Sequence, residues 1–135
     1  MKEDFKNTKK EFQKWHKRKA FLHEDKQRPF FHEGEVWVCA LGLNIGFEQD
    51  GRGEEFLRPI VIIRKFNQQV CWGLPLTKNK KKGKYYFSFK LNGTISTAIL
   101  SQIRLVDSKR LQYKIGALNH EDFCELTKKL KELIP

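Results

Sequence analysis

Arg58-Pro59-Ile60-Val61-Ile62-Ile63 is the stretch whose reading decides the fold. Proline pushes the residue before it into extended backbone and, lacking an N–H, suits the first residue or the edge of a strand. The β-branched run behind it reads as a strand buried on at least one face. A guanidinium is thereby held at the mouth of a rigid β element, where it can meet an anion. Taken alone, Arg58 reads first as an ordinary strand-start charge.

Working outward, Glu35 to Leu41 alternates as a strand, and Gly42 to Leu57 is a long loop with glycines at 42, 46, 51 and 53. Loops of that length in compact domains are usually functional or mobile. The Pro59 strand runs to about Phe66, turns at Asn67-Gln68, and returns from Gln69 to Thr77. Lys78 to Lys84 is a basic connection, which also reads as a solvated hairpin loop. Tyr85 to Leu91 alternates with Phe87, Phe89 and Leu91 on one face. Asn92-Gly93 is a two-residue hairpin turn, and the return strand spans Thr94 to Leu105. A short helical turn at Asp107 to Leu111 and a last strand at Tyr113 to Leu118 follow. Asn119 caps a helix from His120 to about Ile134, whose buried stripe is Phe123, Leu126, Leu130, Leu133 and Ile134. A succession of about five or six short strands with one terminal helix predicts a small, mainly β, antiparallel, partly closed barrel.

The first 28 residues differ. Phe5, Phe12, Trp15 and Leu22 recur at helical spacing between lysines and arginines. This predicts a basic amphipathic helix that ends before Pro29 and docks its stripe on the domain; a membrane-surface or nucleic-acid helix is the alternative. The organisation expected is an N-terminal helical extension, 1–29, and a barrel domain, 30–135.

The chain of 135 residues carries 27 Lys and Arg against 16 Asp and Glu, a formal charge of +11. That excess concerns partners: nucleic acid, an anionic membrane or an acidic protein. No apolar stretch approaches the roughly 18 residues of a spanning helix, and Met1 to Phe5 opens no apolar signal core, so a cytoplasmic protein is expected. Cys39, Cys71 and Cys124 lack CxxC spacing, and His16, His23, His32 and His120 make no ligand pattern with them, so no metal is expected. There is no P-loop, no GxSxG and no paired-carboxylate pattern. Gly51-Arg52-Gly53-Glu54 does not join a strand to a helix, so it does not read as a phosphate cradle. Three polar points stand out in apolar settings: Arg58, Thr77 and the segment Ser101-Gln102-Ile103-Arg104. His32 is the nearest conventional base in sequence but reads first as a surface histidine.

In order, these points carry a resemblance. Gly34-Glu35-Val36-Trp37, Gly46-Phe47-Glu48-Gln49-Asp50-Gly51, Arg58-Pro59-Ile60-Val61-Ile62 and Leu74-Pro75-Leu76-Thr77 are its first pieces. Ala98-Ile99-Leu100-Ser101-Gln102-Ile103-Arg104, Asp107, Lys109-Arg110-Leu111 and Lys114-Ile115-Gly116-Ala117-Leu118 complete it. From Gly34 to Ile134 the chain resembles the MazF/PemK family of toxin endoribonucleases. The resemblance implies an SH3-like or plug barrel (MazF/CcdB-like) that forms a homodimer. It implies metal-independent cleavage of single-stranded RNA without a cofactor, through attack of the ribose 2′-OH that leaves a 2′,3′-cyclic phosphate and a 5′-OH. Arg58 and Thr77 match the catalytic positions, Gln102 a polar position near the substrate groove, and Glu48 and Gln49 fall in the matched glycine-rich segment as RNA-binding positions. The expected protein partner is a cognate antitoxin with an acidic, partly disordered segment.

Elementary chemistry adds to this. Attack by the 2′-OH builds charge on phosphate oxygens, which Arg58 can bind in a fork while Thr77 donates another hydrogen bond. The family is thought to use this arginine in acid–base roles; with a pKa above roughly 12, arginine suits charge stabilisation better. Lys78, Lys80, Lys82 and Lys84 are candidate contacts to the RNA backbone, and Trp37 or Trp72 a candidate stacking platform. The chain departs from the family in three places: Arg52-Gly53-Glu54-Glu55-Phe56 lengthens the loop before Arg58, Ser101 replaces a glutamate, and the first helix lies outside the family core. A non-catalytic module on the same barrel, binding nucleic acid or protein as a related gyrase-poisoning family does, is the alternative.

Overall fold

Strand β2 (Leu57–Lys65) lies at the centre of the sheet, antiparallel to β1 (Glu35–Ala40) on one side and β3 (Val70–Thr77) on the other. Its alternate side chains enter two different cores. Val61 and Ile63 join Val36, Leu74, Leu76, Phe89 and Leu126. Ile60 and Ile62 join Phe31, Trp37, Cys39, Cys71, Val106 and Leu111. Burial on both faces is why this strand reads as a continuous apolar run rather than an alternating one. In the second core, burial pushes the Cys39 and Cys71 thiols up to about 12, so both act as small apolar side chains rather than nucleophiles.

The computed structural model describes residues 11–135. Strand β4 (Tyr86–Leu91) and β5 (Thr94–Ile99) form a hairpin, β6 (Arg104–Asp107) follows, and β7 (Leu111–Ala117) pairs with the free edge of β1. The sheet order is β4-β5-β3-β2-β1-β7, with β6 also on β3. This curled antiparallel half-barrel is the mainly β architecture expected, with seven strands instead of five or six. The extra strand comes from the run expected as one, Thr94 to Leu105. A 3-10 turn at Leu100–Gln102 splits it. β5 then pairs with Leu76 and Thr77, and β6 with Val70 to Gly73. Pro75 sits in the gap between them, where no N–H is needed. The hairpin turn matches its residues: Asn92 and Gly93 take φ of 51° and 80°, as the two-residue turn requires.

Helix α1 covers Phe12–Glu24 and helix α2 His120–Lys131. The Asn119 side chain accepts from the Asp122 N–H at 2.7 Å, capping α2 as its sequence predicts. Leu126 is fully buried and Phe123, Leu130 and Leu133 pack beside it. Ile134 does not belong to the stripe: α2 stops at Lys131, and Ile134 is 72% exposed. α1 ends before Pro29, as its sequence predicts, with Asp25 already extended (ψ 130°). Trp15 and Leu22 are buried with Ala40 and Phe56, whereas Phe12 is 49% exposed. Phe5 of the expected stripe lies outside the described residues. Arg28 fastens the segment after α1, donating to Asp107 Oδ1 at 2.6 Å and to Ser108 Oγ at 2.9 Å. No described helix is long and apolar enough to cross a membrane.

Leu126→Ala should cost about 2–5 kcal/mol in denaturant unfolding. Ile134→Ala should stay within about 0.5 kcal/mol. The reverse ranking would contradict this packing of α2.

Candidate active site

The antiparallel register that sets Ile60 opposite Pro75, continued two residues toward the start of β2, brings Arg58 level with Thr77 at the end of β3. Both line a cleft of about 400 Å³ with Arg52, Lys78, Asn79, Asn92, Thr94 and Ser96. Arg58 is anchored from behind by two carbonyls. Its Nε donates to Asp50 O at 2.6 Å, and one terminal nitrogen donates to Leu76 O at 3.0 Å. A guanidinium has five N–H donors, so the fork keeps donors for an anion. Burial lowers the Arg58 pKa, the Arg52 charge lowers it further, and Asp50 opposes both. Thr77 Oγ1 accepts from the Asn79 N–H at 3.2 Å, which leaves its own proton to donate.

The carbonyl under Arg58 comes from the loop of residues 42–56, whose base is zipped shut. Gly51 N donates to Gly42 O (2.7 Å), Gly42 N to Phe56 O (3.2 Å), and Arg52 and Leu57 exchange two backbone bonds (2.7 and 2.8 Å). A Cβ at Gly51 would fall 1.7 Å from Phe56 O, so only glycine permits this closure. Phe56 itself holds a φ of 58°, a left-handed conformation that costs a bulky residue about 1–3 kcal/mol.

Gln102, Glu48 and Gln49 come together in a separate groove of about 540 Å³. Gln102 Oε1 accepts from Gln49 N at 3.3 Å, and its Nε2 donates to Phe47 O at 3.1 Å. Glu48 accepts from Ile45 N at 2.9 Å. These three residues therefore brace the loop's outer part, and Gln49 adjoins Asp50, whose carbonyl holds Arg58. Lys78 lines the Arg58 cleft, while Lys80, Lys82 and Lys84 stand exposed along the connection after β3. Trp37 is a core residue whose Nε1 donates to Glu35 at 3.0 Å. Trp72 is 44% exposed but lies about 16 Å along β3 from Thr77 at the usual strand rise. His32 is not in the cleft. It sits beside the Gly34-to-Ile62 backbone bond at the far end of β2, with its ring 3.4 Å from Glu35.

Sequence reading missed Asn79, Asn92, Thr94 and Ser96 as lining residues, and Arg52 as a cleft cation beside Arg58 and Lys78. Asn92-Gly93 was legible as a turn, but only the pairing of Thr77 with Thr97 swings that turn toward Arg58. Among the described residues, no carboxylate or imidazole lines the cleft. Its chemistry is that of a cationic, hydroxyl-bearing anion site at a strand end.

That site sits on the half-barrel fold of MazF toxins. MazF from Deinococcus radiodurans superposes with a TM-score of 0.63 at 16% identity, over 81% of this chain and 98% of that one. A mycobacterial endoribonuclease solved with its cognate antitoxin gives 0.62 at 12%, over 78% and 98%. A Deinococcus radiodurans MazE–MazF complex gives 0.56 at 15%, over 81% and 97%. Comparison with curated proteins gave no match. Residues 32–134 match the family described as PemK-like, MazF-like toxin of type II toxin-antitoxin system, and the chain belongs to that family.

Gly51→Ala should force the zipped loop base open and destabilise the fold by about 1–3 kcal/mol. A denaturation midpoint equal to that of the parent chain would show that the loop closes in some other way.

Proposed function

We propose that this chain is a toxin-type, metal-independent endoribonuclease that cleaves single-stranded RNA. The observation that carries the reading is the shared cleft of Arg58 and Thr77, with Arg58 pre-anchored by the Asp50 and Leu76 carbonyls. A scissile phosphate in the cleft would meet the Arg58 fork and the Thr77 hydroxyl. The 2′-OH attacks phosphorus and gives up its proton. The P–O5′ bond breaks, the 5′ oxygen takes a proton, and a 2′,3′-cyclic phosphate remains. Charge gathers on the non-bridging oxygens in the transition state. An arginine held in place beforehand stabilises it without reorganising. Burial lowers the Arg58 pKa, but arginine starts so high that its role here is charge stabilisation rather than base catalysis.

Lys78 at the cleft and Lys80, Lys82 and Lys84 beyond it suit the flanking phosphates. Glu48, Gln49 and Gln102 suit a base further along the strand, in the groove they share. Residues 1–29 form an extension to a barrel domain of residues 30–135, a division supported by the family match beginning at residue 32. The chain would act in the cytoplasm, on messenger RNA. The absence of a carboxylate or imidazole from the described lining favours one rival: a site that binds RNA or protein without cleaving.

Incubation with RNA in EDTA, followed by mapping of the ends, separates the two. Cleavage leaving 5′-OH ends is expected, with Arg58→Ala and Thr77→Ala each slower by at least about 100-fold, equivalent to about 2.7–4 kcal/mol of lost transition-state stabilisation. No cleavage by the parent chain, or equal rates in all three, rejects the enzyme and leaves the binding module.

Two partners follow from the same reading. A second copy of the chain suits the apolar face where Trp72, Ile103 and Leu105 (57% exposed) lie together beside α2. Leu105→Glu should then convert a dimer to a monomer in analytical ultracentrifugation, and a persistent dimer would exclude this face. An acidic antitoxin segment suits the basic cleft and should compete with RNA. A neutralising antitoxin that leaves RNA affinity intact would contradict that mode.

A further inference from the structure

We infer that helix α1, which lies outside the family match, is a positioning element for Arg58 and acts through the Trp15 indole and the zipped base of the loop. The inference rests on the reading of Arg58 as a catalytic group.

Trp15 is placed where it touches both ends of the loop at once. Its six-membered ring fills the space above Gly42, where an added Cβ would lie 2.1 Å from Cζ2. The same indole meets Phe56 edge-on, with centroids 5.5 Å apart. Arg110 closes the third side. Its guanidinium lies 5.7 Å from the ring centroid and donates to Ala40 O at 3.1 Å, where β1 runs into the loop. Burial of this guanidinium lowers its pKa, in keeping with a structural rather than solvent-facing cation.

From there the path to Arg58 is short. Phe56 O accepts from Gly42 N, Gly42 O accepts from Gly51 N, and the neighbouring Asp50 O accepts from Arg58 Nε. Phe56 keeps its left-handed backbone only while its surroundings over-determine it, and Trp15 is a large part of those surroundings. Without the indole, Gly42 and Phe56 lose their common wall. The Asp50 carbonyl is then free to shift, and Arg58 loses one of its two anchors. A displacement of about 1 Å at a catalytic group, caused from a distance, can slow a reaction about 100-fold. Lys14, Lys17 and Lys19 face outward on the same helix, so direct RNA contact by α1 is the competing role, and the test separates the two.

The experiment uses the full chain and three readouts. These are the single-turnover cleavage rate of an RNA, the Kd for the same RNA made uncleavable by a 2′-methoxy group, and the water exchange of the Arg58 Nε–H by NMR. Trp15→Ala should lower the rate by about 10- to 100-fold, leave the Kd within about twofold, and speed the Nε–H exchange. Trp15→Phe should recover most of the rate, and Phe21→Ala, on the exposed face of α1, should behave like the parent. An unchanged rate overturns the inference, whether or not exchange changes. A weaker Kd at an unchanged rate overturns it in favour of RNA contact by α1. If Trp15→Ala does not fold, Phe56→Leu removes the edge-on contact while leaving α1 docked, and the same readouts decide. If the parent chain cleaves no RNA, or Arg58→Ala cleaves equally well, the catalytic reading fails by itself. The Nε–H exchange then still decides whether α1 sets the position of Arg58.

Discussion

Burial of β2 on both faces is the constraint from which the rest of the molecule follows. A strand with no solvent-facing side must be flanked by partners on both edges and covered above and below. β1 and β3 supply the edges. α2 covers one face, and Phe31 with β6 and β7 covers the other. The packed strand fixes the backbone of whatever stands at its start. Arg58 is at that start, next to the proline that ends the need for backbone donors. The backbone of the catalytic candidate is therefore positioned by the hydrophobic core, and its side chain by the Asp50 and Leu76 carbonyls.

Much of this was legible because it was local. The Ile60 to Ile63 run, the Asn92-Gly93 turn and the Asn119 cap each show their conformation in their own residue types, and each is observed as read. The central strand was expected to be buried on at least one face and is buried on both. Illegible features depend on partners distant in sequence. Leu100 to Gln102 looks like continued strand until β3 offers two separate pairing sites and Pro75 separates them. Ile134 fits the helical period, yet α2 ends before reaching it. Gln102 carried a polar signal but no direction, and only the fold shows it holding the loop at Gln49 and Phe47 rather than sharing the Arg58 cleft. Arg52 was visible only as part of a lengthened loop, and the bridge to Leu57 is what carries it to the cleft.

The site sets an anchored cation beside exposed ones. Arg58 has already given up part of its hydration and two of its donors to the protein, so binding a phosphate costs it little further ordering. The lysines after β3 are long, exposed and hydrated, and they suit attraction at a distance. With a formal charge of +11, the chain can draw a polyanion toward its surface, and on the proposed reading the anchored Arg58 guanidinium would set the geometry of contact.

The zipped loop base separates two properties that are usually linked. Gly42, Gly51 and the Arg52–Leu57 pair hold the part that touches Arg58, while Phe47 is almost fully exposed at the outer turn. Residues added beyond a closed base change loop-closure entropy only slowly, by about 0.6 kcal/mol for each doubling of length. Outer loop segments can thus lengthen, shorten or change composition while the carbonyl beneath Arg58 stays in place. Under the proposed function, choice of substrate would be a property of the loop's periphery, with the reacting centre insulated from its drift.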